Sequence, residues 1–188
     1  MRGGFVVLAV VIVAIIAFGG SLISNRNQLV AERNDIQARW AQVDNDMKRR
    51  ADLIPNLVET VKGYAKQEQT VFGEIAAARS ALLNAHGKQQ EIGANDQLNG
   101  ALGRLLALKE SYPQLKSNEN FLRLQDELER TENRIAVSRR DYNEAIRKYN
   151  TDVELFPNNL TASLFGFQRD NDYFKTTPEE RRTPQVKF

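Results

Sequence analysis

Phe121 to Phe156 reads FLRLQDELERTENRIAVSRRDYNEAIRKYNTDVELF, and this stretch decides the fold. It contains neither Gly nor Pro. Phe121, Leu124, Leu128, Thr131, Ile135, Ser138, Tyr142, Ala145, Tyr149, Asp152 and Phe156 recur at 3,4 spacing. One face of a helix repeats every 3.6 residues, so the pattern predicts a single long amphipathic helix. Ser117 stands ahead of it as an N-cap, and Phe156-Pro157-Asn158-Asn159 ends it. From cap to stop the helix covers about 38 residues, or about 57 Å at 1.5 Å per residue. A helix of that length belongs to an elongated bundle or a coiled coil.

The same stripe lies upstream. Leu29, Arg33, Ile36, Trp40, Val43, Met47, Arg50 and Ile54 alternate at 4,3 spacing, with no Gly or Pro between Ser21 and Ile54. Pro55 removes a backbone donor and disfavours helix before it, so a kink or short break is expected there. Leu57, Val61, Tyr64, Glu68, Val71, Ile75, Ala78 and Leu82 then resume the stripe until His86-Gly87. The polar stretch 87–95 reads as a loop. Leu98 to Leu108 reads as a shorter helix, stopped at Tyr112-Pro113. The fold class is therefore all-α: an elongated antiparallel bundle of three to four long helices.

At the other end, Gly3 to Ile23 has no charged residue. At about 1.5 Å per residue it crosses the roughly 30 Å hydrocarbon core. Its apolar run exceeds an ordinary signal h-region, which favours a retained anchor; Ala17-Phe18-Gly19 keeps a cleaved signal open as the alternative. Arg2 and Arg26 flank the span almost evenly, with a lean to an inside N-terminus and an outside bundle. The chain divides into an anchor (1–24), a bundle (25–157) and an aromatic, partly irregular tail (158–188). In the tail Phe165 and Phe167 are expected to dock onto the bundle or a neighbouring subunit, against the plainer alternative of a disordered end.

Composition narrows the chemistry. The 188 residues hold no cysteine and one histidine, with Lys+Arg 26 against Asp+Glu 24. Thiolate metal sites, cysteine nucleophiles, HExxH zinc sites and two-histidine di-iron bundles are excluded. The near-neutral balance argues against a nucleic-acid partner. Asp44, Asp46 and Asp52 point in different directions around one helix and do not suggest a shared metal. Neither a catalytic set nor a cofactor is expected. Glu144 and Lys148, four apart, read as a pair on a solvated face.

What stands out is polarity in the stripes. Arg33, Arg50, Glu68 and Asp152 occupy core-type positions, and pairing of Arg50 with Glu68 or Asp152 would fix register. Arg50, Asp52 and Asn56 cluster around Pro55. They form either a partner or anion site, or a kink whose carbonyls are satisfied by Arg50 and Asn56. An enzyme reading would need that cluster to line a pocket beside Arg139, Tyr142 and Asn143.

Several strings resemble the LemA family of bacterial membrane proteins. They are Asn27-Gln28-Leu29-Val30, Arg49 to Val58, Val61-Lys62-Gly63-Tyr64-Ala65, Glu110 to Lys116, Asn118 to Phe121, Glu132 to Ile135, Tyr142-Asn143, Tyr149-Asn150, Phe156-Pro157 and Pro184 to Phe188. The resemblance implies one N-terminal membrane helix, an antiparallel helical-bundle domain and no established activity. The expectation is a bacterial inner-membrane protein, single-pass, with its bundle toward the periplasm. It would act as a scaffold or adaptor, or as a homo-oligomeric assembly. A membrane-shaping or envelope-stress-related assembly factor is the alternative. Its partners are the bilayer, through residues 3–23, and further copies or other membrane proteins; Ala17/Ser21 and Gly20/Ser24 would allow close packing of spans.

Overall fold

The computed structural model describes residues 2–174; the expected tail from 175 on, with the Pro184–Phe188 string, lies outside the described residues. Six helices follow in order: α1 (Arg2–Lys62), α2 (Gln69–Leu83), α3 (Lys88–Ser111), α4 (Pro113–Lys116), α5 (Glu119–Glu154) and α6 (Asn158–Phe165). No strand occurs among the described residues. The chain is an all-α protein with a helical bundle and a long apolar N-terminal helix. Two compact units share α1 and α5: one holds α1 up to Arg39 with Tyr142–Tyr173, the other Trp40–Asp141 with Phe174.

α1 is one helix of 61 residues. Its first turns carry Phe5, Val10, Ile15 and Phe18 fully to the outside, as a helix facing hydrocarbon would. In the first unit α5 runs antiparallel to α1, with Gln28 opposite Asp152 and Glu32 opposite Lys148. Leu29, Ile36, Tyr142, Ile146 and Tyr149 fill its core. Beyond α6, Asn150 holds the returning chain through the Asp170 backbone on both edges and the Tyr173 hydroxyl, and Tyr149 donates to the Gln168 carbonyl.

The second unit is a four-helix antiparallel arrangement. α2 runs back along α1, since Lys62 caps the Phe72 ring while Arg79 reaches Ala51. α3 returns parallel to α1, Lys88 meeting Trp40 and Asn99 meeting Arg50. α5 descends again, with Asp46 opposite Ser138. At the far connectors Tyr112 donates to Glu68 and Asn118 donates to the Tyr64 hydroxyl.

Four boundaries differ from the sequence expectation, each for a local reason. α1 does not break at Pro55. A proline at 55 leaves the Ala51 carbonyl without its i+4 amide, and Arg79 Nε supplies the missing donor at 2.9 Å from α2. Arg50 and Asn56 were expected in that role; Arg50 turns elsewhere, and Asn56 is exposed with its carbonyl taken by Thr60. The helix stops instead at Gly63, where 63–68 is a double turn that lets α2 fold back. The stretch 87–95 is helical from Lys88, not a loop, with Gly87 at φ 93° marking the turn before it. The cap of α5 is Asn118, which accepts from the Phe121 amide at 2.8 Å, rather than Ser117. α5 also stops at Glu154, so Phe156 leaves the stripe and stands 77% exposed.

The Arg79–Ala51 contact predicts a specific non-additivity. Arg79→Ala should destabilise the detergent-solubilised protein by about 1–3 kcal/mol, the cost of a carbonyl deprived of its donor. In a Pro55→Ala background the amide at 55 returns and most of that loss should vanish. Equal losses in both backgrounds, measured by chemical denaturation, would refute the account.

Candidate functional site

The polar residues of the stripes fall into two clusters, one in each unit. In the second unit Arg50 is the centre. Its side chain is 8% exposed, and Nη1 donates to Asn99 Oδ1 on α3 and to Glu132 Oε2 on α5. Burial holds its guanidinium below the usual arginine range, and Glu132 opposes that shift. One helical turn earlier, buried Asp46 accepts from Gln42 and from Ser138. Above it Arg139 lies 3.6 Å from Asp96 and covers the face of Phe174, with 4.8 Å to the ring centroid. Phe174 in turn stacks on Trp40 at 5.6 Å. The result is a polar belt through α1, α3 and α5, closed by a cation–aromatic stack.

In the first unit Lys148 donates to both Glu32 and Asp152, and Gln28 donates to the same two oxygens. Two carboxyls thus share one ammonium and one amide. Burial, with Asp152 as neighbour, pushes the Glu32 carboxyl up. The hydrogen bond with Glu32, then Lys148, holds Asp152 down. Burial and then Asp170 and Asp172 push the Tyr142 hydroxyl up, which keeps it protonated.

The other sequence-derived residues separate. Arg50 does not pair with Glu68 or Asp152: Glu68 accepts from Tyr112, and Asp152 is bound to Lys148 and Gln28. Arg33 is exposed rather than core; Glu32, one position earlier, takes the inward place, and Arg33 lines a groove of about 350 Å³ with Tyr149 and the 166–172 segment. Lys148 pairs with Glu32 and Asp152, while Glu144 pairs with Arg147. Asp52 is exposed, 4.0 Å from Arg79. Pro55 lines an apolar groove of about 330 Å³ with Val58, Phe72 and Ile75, without Arg139, Tyr142 or Asn143. Tyr142 is fully buried, Asn143 half-buried. Phe165 is 46% exposed beneath Arg26, and Phe167 is half-buried; both belong to the α6 turn, which the sequence showed only as an irregular tail.

The sequence reading missed Glu32, Asp46, Arg79, Asn95, Asn99 and Glu132. Glu32, Asp46 and Glu132 each sit beside an expected stripe position, on the flank of the buried face, while Arg79 lies on α2 and Asn95 and Asn99 on α3. No group of three or more His, Asp or Glu able to hold a metal occurs among the described residues.

An apolar helix long enough to cross a membrane, leading into a bundle whose buried charges are hydrogen-bonded within it, defines a membrane-associated helical-bundle protein. The family model described as the LemA family matches residues 39–188, and the chain belongs to that family. It is 28% identical to magnetosome protein MamQ 2 of Paramagnetospirillum magneticum, over 91% of this chain and 72% of that protein. It is 27% identical to magnetosome protein MamQ of Magnetospirillum gryphiswaldense, over 95% of this chain and 76% of the relative. Protein LemA of Metamycoplasma hominis is 26% identical over 74% of this chain and 64% of its own length.

Two outcomes follow from these clusters. Arg50→Glu should destabilise by about 3–5 kcal/mol because it leaves a buried charge against Glu132. Glu132→Arg should restore part of that loss and Glu68→Arg none, as read from urea midpoints. The second concerns pH. Glu32 binds its proton more tightly folded than unfolded. Its stabilisation is therefore full below the ordinary value of 4.5 and is lost as pH rises through the raised folded value. Glu32→Gln should flatten that decline in a Tm-against-pH series; parallel curves for the two proteins would contradict the assignment.

Proposed function

We propose that this protein is a non-catalytic, membrane-anchored scaffold that organises other membrane components, either as an adaptor or as a homo-oligomeric assembly. The observation that carries the reading is the single helix α1, which leads from the apolar span into the bundle without a linker. A flexible tether would let a domain roam. A continuous helix transmits position and orientation from the bilayer to whatever the bundle holds. The charged residues support the same reading: Arg50, Asp46, Glu32 and Lys148 pair within the bundle and are spent on architecture rather than aimed into a cleft.

The setting we propose is a bacterial inner membrane, single-pass, with the bundle on the periplasmic side. The chain lacks cysteine, so Glu59→Cys gives one exposed thiol. Labelling of that thiol by a membrane-impermeant maleimide on intact cells is expected; labelling only after lysis would reverse the orientation.

A second reading, a membrane-shaping or envelope-stress-related assembly, draws on the small residues of the span. Ala17/Ser21 and Gly20/Ser24 are small residues four apart, a spacing that allows close packing with another helix. One measurement separates these arms: the mass and composition of the full-length complex after mild solubilisation. A large particle made only of this chain means a homo-oligomeric assembly. A particle with a companion protein means an adaptor. A single copy alone counts against both.

A further inference from the structure

We propose that the end of α5 and helix α6 form a lipid-facing shelf, lying in the surface of the same bilayer that α1 leaves. The inference rests on α1 being inserted in the membrane.

Leu155 to Phe167 carries no charged residue, in a chain dense with charge outside its apolar N-terminal span. It leaves Leu155, Phe156, Leu160, Leu164 and Phe165 exposed at 57%, 77%, 48%, 67% and 46%. Large apolar side chains grouped in this way mark a surface that is covered in the working state. The inner side of α6 is already occupied, with Thr161 and Ala162 buried against the first unit. Outward, Leu160 and Leu164 stand exposed, and the register of the helices says what meets them.

Lys148 lies opposite Glu32 and Asp152 opposite Gln28. That antiparallel register puts Glu154, the last residue of α5, level with Arg26, so Leu155 and Phe156 follow where the apolar span has just ended. Arg26 confirms the level, because its guanidinium stands 5.6 Å from the Phe165 ring centroid. The apolar patch is thus at the height where α1 passes from hydrocarbon to headgroups. A surface at that height meets lipid first. A cation stacked on an aromatic ring, flanked by leucines and asparagines, is the composition of an interfacial element: the rings lie among acyl carbons, and the guanidinium reaches the phosphates. Glu154 and Arg169, the charges on either side of the segment, pair with each other and so do not oppose insertion.

The full-length chain in vesicles of phosphatidylcholine and phosphatidylglycerol tests this. Trp40→Phe removes the lone tryptophan, and single tryptophans then report depth against lipids brominated near the headgroup or near the chain ends. Rings seated about 5–10 Å below the headgroups at Phe156→Trp and Leu164→Trp should lose about half or more of their emission to shallow bromines. Ile12→Trp should respond to deep bromines, and Asn34→Trp, exposed further along α1, to neither. If Ile12→Trp is quenched while Phe156→Trp and Leu164→Trp are not, the shelf is overturned and the anchor stands. If Ile12→Trp is itself silent, the anchor reading fails and the shelf with it. A disulfide between copies at Phe156→Cys without lipid quenching would give this face to a second copy and also overturn the proposal. Unchanged helicity in circular dichroism certifies each variant as folded.

Discussion

Everything in this chain depends on α1 remaining a helix from Arg2 to Lys62. In hydrocarbon a backbone has no water to bond, so a spanning segment must satisfy its amides within itself. α1 carries that condition past the bilayer and offers its later turns as the spine on which α2, α3 and α5 pack. Pro55, the one proline inside α1, is neutralised from outside: a side chain on α2 replaces the missing backbone donor. The spine and the first packing event therefore secure each other.

Buried charge does the complementary work. Leucine and alanine seams between antiparallel helices tolerate sliding by a turn. An arginine that must meet both Asn99 and Glu132, and an aspartate that must meet Ser138, do not. Such groups cost desolvation, and in return they select one alignment. In the other unit Lys148 between two carboxyls fixes the register of α5 on α1 in the same way.

The helical class, an N-terminal helix long and apolar enough to cross a membrane, and most of the core were legible because they rest on period and on apolar length. Leu29, Ile36, Val43, Ile54, Ile135 and Tyr142 are buried where the stripe put them. What escaped was whatever depends on a partner outside the local sequence. Pro55 reads as a kink or short break until Arg79 is seen beside Ala51. The polar stretch 87–95 looks like a loop, yet it is helical, with Ala94 and Asn95 turned into the core. The partners of Arg50 could not be chosen from several acids, because strand-like pairing rules do not exist for helices separated by long sequence. Arg33 keeps the 4,3 spacing and was read as inward, but in that turn Glu32 is buried instead, while Leu29 and Ile36 on either side hold the expected register. α6 was hidden because eight residues are too few for a period to declare itself.

Stability is unevenly spread over such a molecule. α6 turns only Thr161 and Ala162 fully inward, and side chains that small recover little apolar area against the entropy of ordering a short helix. The layer around Arg50, with Met47, Ile54, Leu98 and Ile135 near it in the seams, is tied on several sides. Amide protons should therefore exchange first in α6 and last in the middle of α1 and α5. On the proposed shelf, an element that opens at low cost would make the local order of this protein responsive to the lipid around it.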